Sequence, residues 1–253
     1  MFVIRRLIIL SVPALWLLGL ELVKKNNAFL FPAAIFFLVF LFFAVLIVCR
    51  GRIDKAFWHF LILPILFSAA SFFFFLFLTS EIIFHSLVVL TGLALYLILH
   101  QYFIYSSFPA KYQPYTLEGL TFYGSLFLLF FVYSSVFAGL ILIQWNIFLL
   151  AGLMLPVLAA AAYLFFWIHK INLEKSWLFL LIILLIQLEL FIAVSYLPTG
   201  YYVDAFILTI ANYLMFSFSK ASLQGSLNMR QIIVQTSIAG ALLLSVLLTA
   251  PWG

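Results

Sequence analysis

The chain has 253 residues, of which 68% are apolar, 20% aromatic and only 8% charged, with a mean hydropathy of +1.31. Water-soluble domains keep roughly a quarter of their residues charged, so this composition excludes a soluble domain and leaves no stretch polar enough to form an extramembrane one. The net charge of +5 would suggest a nucleic-acid partner in a soluble protein; here the distribution of basic residues along the chain accounts for it, and no nucleic acid is expected.

A helix needs about 20 apolar residues to cross the hydrocarbon core, where lipid cannot satisfy exposed backbone groups. Nine segments meet that requirement: Leu7 to Val23, Phe29 to Cys49, Ala56 to Thr79, Ile82 to Ser106, Leu120 to Ile143, Ile147 to Ile168, Trp177 to Leu197, Val203 to Ser219, and Ile232 to Ala250. The expected fold is all-α, a single polytopic transmembrane bundle over residues 1–253. Arg5 and Arg6 ahead of the first apolar run imitate a signal peptide, but no small-x-small cleavage site precedes Lys24 and Lys25, so the segment reads as an uncleaved anchor.

Basic residues are retained on the cytoplasmic side of short connections. With nine spans, Arg5, Arg6, Arg50, Arg52, Lys55, Lys111, Lys170, Lys175, Lys220 and Arg230 fall on one side, and only Lys24 and Lys25 on the other. This predicts an integral membrane protein with its N-terminus cytoplasmic and Gly253 outside. The connections are short, the longest being Ser107 to Glu118 and Lys220 to Arg230, so any chemistry belongs between helices or at the membrane surface.

Leu61-Ile62-Leu63-Pro64-Ile65-Leu66 matches Leu153-Met154-Leu155-Pro156-Val157-Leu158 at a shift of 92 positions, as do the Ala and Phe pairs that follow each run. The same shift lays the second, third and fourth spans over the fifth, sixth and seventh. A displacement of three helices reverses direction in the bilayer, which predicts a 3+3 inverted repeat of the kind found in secondary transporters. Composition is the rival explanation, because a chain with 32 Phe matches itself easily. Pro13, Pro64 and Pro156 each remove a backbone hydrogen bond and kink their helices.

Ionisable groups inside the bilayer are functional candidates by default. Glu189 lies eight residues from the expected end of the seventh span, about 12 Å deep at 1.5 Å per residue. Asn212 is almost equidistant from the turn near Pro198 to Tyr202, so the two are expected at one depth. Tyr196 shares the Glu189 face and Thr209 the Asn212 face. Two readings follow: a substrate- or ion-binding site formed by Glu189, Asn212, Tyr196 and Thr209, or a structural Glu–Asn hydrogen bond.

His59, His100, Glu118 and His169 share the cytoplasmic layer, but interfacial histidines are ordinarily solvated, and neither a metal site nor a cofactor is expected. Two histidines on the fourth span, His85 and His100, are about 22 Å apart and cannot share a haem. Lone Cys49 excludes an internal disulfide. Trp58, Trp145, Trp177 and Trp252 sit near span boundaries, as an aromatic belt does.

The leading expectation is a transporter- or permease-like protein. The alternatives are a structural or assembly subunit of a membrane complex, and a lipid-modifying enzyme using the cytoplasmic histidine layer. Membrane lipids surround the chain in all three, and a membrane-protein partner or a second copy would occupy any lipid-facing docking stripe.

Overall fold

The computed structural model describes residues 2–51, 53–108, 112–113 and 115–250. Arg52, Lys111, Trp252 and Gly253, used in the sequence reading, lie outside them. Among the described residues there are nine α-helices and no strand: α1 (Phe2–Lys25), α2 (Leu30–Val48), α3 (Lys55–Phe75), α4 (Glu81–Ser107), α5 (Thr116–Leu142), α6 (Ile147–Ile168), α7 (Leu173–Val194), α8 (Tyr201–Leu223) and α9 (Met229–Thr249). All nine are long and apolar enough to cross a bilayer, as the hydropathy pattern predicts.

Local chemistry sets the helix ends. The side chains of Asp54, Asn146, Asn172 and Asn228 accept hydrogen bonds from backbone N–H groups in the first turns of α3, α6, α7 and α9, satisfying donors that a helix N-terminus leaves free. At the other end, α2 stops where Arg50 and Gly51 take left-handed φ values of 63° and 71°, and the Gly51 N–H donates back to Leu46 O at 2.8 Å. Gly225, with φ 64°, closes α8 in the same way through Ser226 N–H and Ala221 O. Such a stop favours glycine because a Cβ disfavours the left-handed region.

Two helices end three or four residues earlier than hydropathy alone predicts. α7 ends at Val194 rather than Leu197, because Pro198 disfavours a helical conformation in the residue before it. The last turn tightens accordingly, with Leu197 N–H donating to Val194 O, three residues back. α3 ends at Phe75 rather than Thr79 through the same tightening, with Phe77 N–H donating to Phe74 O.

The chain divides into two compact units, Met1–Gly124 and Ser125–Gly253. In the first, α1 packs on α2 and α4, and α2 on α3. Its core centres on Trp16, whose ring lies 4.9 Å from Phe37 and 4.8 Å from Phe72 between centroids. In the second, α7 lies between α6 and α8, and α8 also carries α9. There Phe165 of α6 stacks on Phe216 of α8 at 4.8 Å, and Phe137 of α5 meets Phe191 of α7 at 5.2 Å. The only buried residue of α9 among those described is Ala239.

Candidate functional site

The inward side of α7 is narrow. Among the described residues, Ser176, Ile183, Gln187, Phe191 and Val194 are its buried ones, spaced by seven, four, four and three positions as one helical face requires. On α8 the buried stripe is Asp204, Ala205, Leu208, Asn212, Phe216 and Ser219, with Ile210 beside it. Tyr133 of α5 meets both helices. Tyr133, Gln187 and Asn212 are each 0% exposed.

These three side chains form one hydrogen-bonded cluster. Gln187 Nε2 donates to Tyr133 Oη at 3.0 Å and to the Leu208 carbonyl at 2.8 Å. Asn212 Nδ2 donates to Tyr133 Oη and, at 3.2 Å, to the same Leu208 carbonyl. The Leu208 oxygen therefore orients both amides, since a carbonyl cannot donate to a carbonyl. Gln187 Oε1 and Asn212 Oδ1 are consequently turned away from these partners, and both are buried without a hydrogen bond among the described residues. A buried acceptor left in that state costs on the order of 1–3 kcal/mol, and the cluster holds two of them.

Asn212 is the predicted residue that the structure places in this cluster. Thr209 is part-buried one turn away and spends its hydroxyl on the Ala205 carbonyl at 2.8 Å. Glu189 and Tyr196 are exposed. The structure thus does not bring Glu189 to Asn212, and Gln187 takes that place. Gln187 and Asn212 are equally distant along the chain from the Thr199–Gly200 turn, and the Leu208 carbonyl ties them together across the α7–α8 hairpin. The face differs: two residues rotate a helix by about 200°, so Glu189 points opposite to Gln187. Sequence reasoning passed over Gln187 because it carries no charge.

Asp204 is a second residue that sequence reasoning missed. It is 1% exposed in the first turn of α8 and accepts a hydrogen bond from the Thr199 hydroxyl. A carboxylate there faces the positive end of the helix dipole. Asp204, Asn212 and Ser219 recur at eight and seven residues on the buried stripe, so hydrophilic side chains stand along nearly the full length of α8.

A further polar constellation joins the end of α1 to the start of α4. Lys24 Nζ lies 3.3 Å from Glu81 Oε1 and 3.3 Å from His85 Nε2, and His85 Nδ1 lies 2.8 Å from Glu21 Oε1. It borders a pocket of about 180 Å³ floored by Leu20, Val23, Phe75 and Phe84.

The remaining histidines make local contacts. His59 Nδ1 faces Lys55 O, His169 Nδ1 lies 2.8 Å from Phe165 O, and His100 stacks on Tyr96. Glu118 accepts from Tyr112 Oη at 3.1 Å. Among the described residues, no three His, Cys, Asp or Glu side chains gather as a metal ion would require.

Comparison of the chain with protein-family models, with curated proteins and with solved structures gives no match.

Proposed function

We propose that the protein is a multi-pass membrane permease in which a polar solute crosses along the buried stripe of α8. The observation that carries this reading is the file of Asp204, Asn212 and Ser219, all buried, with the Tyr133–Gln187 pair against its middle member. Polar groups within a membrane bundle are costly and characteristically mark solute pathways. A structural fastening needs only paired groups, whereas this cluster retains two unpaired amide oxygens. The test is reconstitution of the purified protein into lipid vesicles, followed by stopped-flow light scattering after mixing with potassium chloride, glycerol, urea or glycine. Faster entry of at least one solute than into protein-free vesicles is expected; equal rates for all four would retire the reading.

Two architectural proposals accompany it. The first is orientation, with the N-terminus cytoplasmic and Gly253 outside, supported by the ten-to-two partition of basic residues. Reporter fusions at each terminus should report opposite compartments. The second is the 3+3 inverted repeat of α2–α4 with α5–α7. The 92-position shift carries Lys55, the first residue of α3, onto Ile147, the first of α6, and Glu81 of α4 onto Leu173 of α7. Related chains of divergent sequence should keep that register.

An assembly-subunit reading draws on a different observation. Glu189 is exposed on α7 in line with exposed Leu178, Ile182, Leu185, Ile192 and Tyr196. It lies five residues, about 8 Å, from the helix end. A carboxyl group at that depth gains from a hydrogen-bond partner on a neighbouring membrane protein or a second copy. Cross-linking through Glu189→Cys in native membranes should then trap a defined adduct, and its absence would remove this reading.

A further inference from the structure

The free valences of the buried cluster define a ligand class. Tyr133 Oη accepts two N–H bonds, and its own proton has no acceptor among the hydrogen bonds found. Gln187 Oε1 and Asn212 Oδ1 are acceptors without donors. The cluster therefore presents one O–H donor and two carbonyl acceptors, and no member carries a charge. The carboxylate nearest along the α8 stripe is Asp204, eight residues or about 12 Å away. Removing an ion from water into such a site is costly without a counter-charge.

We infer that, within the permease reading on which this rests, the cluster of Tyr133, Gln187 and Asn212 binds a small uncharged solute of the urea class. Its carbonyl oxygen accepts from Tyr133 Oη, and its N–H groups donate to Gln187 Oε1 and Asn212 Oδ1. That pairing satisfies every orphaned atom of the cluster with one molecule. A cation would fill the two amide oxygens but leave the tyrosine proton pointing at it. A polyol carries donors and acceptors on the same oxygens and lacks a planar acceptor between two donors.

The test uses the full-length protein in phosphatidylcholine vesicles, with urea, glycerol, glycine and potassium chloride as separate probes. Urea entry above the protein-free rate is expected. Tyr133→Phe should lower the protein-dependent rate by about fivefold, the factor one hydrogen bond supplies, while the variant still elutes as a single folded species. Asn212→Leu serves as the second variant, with the same expectation, if Tyr133→Phe does not fold. Entry of glycerol, glycine or potassium chloride without urea would overturn the urea-class assignment and leave the permease reading standing. Urea entry that is unchanged in folded variants would overturn the cluster as its site. No accelerated entry of any probe would overturn both.

Discussion

The indole of Trp16 donates to the Thr91 hydroxyl at 2.9 Å across the α1–α4 contact, and the hydrogen bond depends on the residue next to Thr91. Gly92 has no side chain, and a Cβ built on it would stand 3.2 Å from Trp16 Cδ1 and 3.7 Å from Pro13 Cβ. The bare glycine backbone lets α1 approach, as small residues commonly do between membrane helices. The Pro13 ring lies against the same spot.

Gly92→Ala should lower stability by about 1 kcal/mol, because the overpacking against Trp16 exceeds the gain in helix propensity. Gly92→Leu should prevent the α1–α4 contact from closing. Thermal unfolding in detergent reads both, and Trp16→Phe should cost more, about 2 kcal/mol, because it removes the indole donor and leaves space among Phe37, Phe72 and Phe75.

Gln187→Glu and Glu189→Gln should behave oppositely despite being chemical inverses two residues apart. Glu189→Gln alters an exposed position and should change stability by less than about 0.5 kcal/mol. Gln187→Glu places an acid in a fully buried site with its oxygens against the Leu208 carbonyl, at a cost of about 3 kcal/mol or more when ionised. Unfolding midpoints of the two variants in detergent measure the difference.

Cys49 caps α2 outside the spanning segment. Burial pushes its thiol up to about 11, with the nearby Asp54 carboxylate adding to the shift and Arg5 opposing it. The thiolate is the reactive form. Alkylation by iodoacetamide at pH 8 should therefore be much slower than for a free thiol and should climb steeply as pH approaches 11. Unfolding in sodium dodecyl sulfate should abolish the difference.

The Lys24–Glu81 pair should contribute little. Glu81 is 81% exposed and the ion pair spans 3.3 Å at the end of α1, a setting in which such pairs are typically worth about 0–1 kcal/mol. A double-mutant cycle of Lys24→Ala and Glu81→Ala should give a coupling below about 1 kcal/mol, and the coupling should shrink further in high salt.

The nine helices were legible because apolar length is a one-dimensional property, and it appears directly in the chain. Counting from the turn near Pro198 to Tyr202 led to Glu189 as the expected partner of Asn212, whereas the side chain that meets Asn212's cluster is Gln187, two residues earlier. Which side of each helix turns inward was not legible, since Leu, Ile and Phe occupy every face of α7 and the pattern has no polar side to orient it. Glu189 stood out by charge, while Gln187, at 0% exposed, was concealed by its neutrality. The Glu21–His85–Lys24–Glu81 network was invisible for a different reason, because it depends on which helices are neighbours. Asp204 was passed over although its place in the first turn of α8 was readable.

α9 fully buries a single alanine, Ala239, and leaves most of its other side chains exposed. In a bilayer, a helix held along one face adjusts its tilt to the membrane thickness more readily than one packed on several sides. Moving the protein from thin to thick membranes should swing this one helix like an outrigger while its neighbours keep their positions.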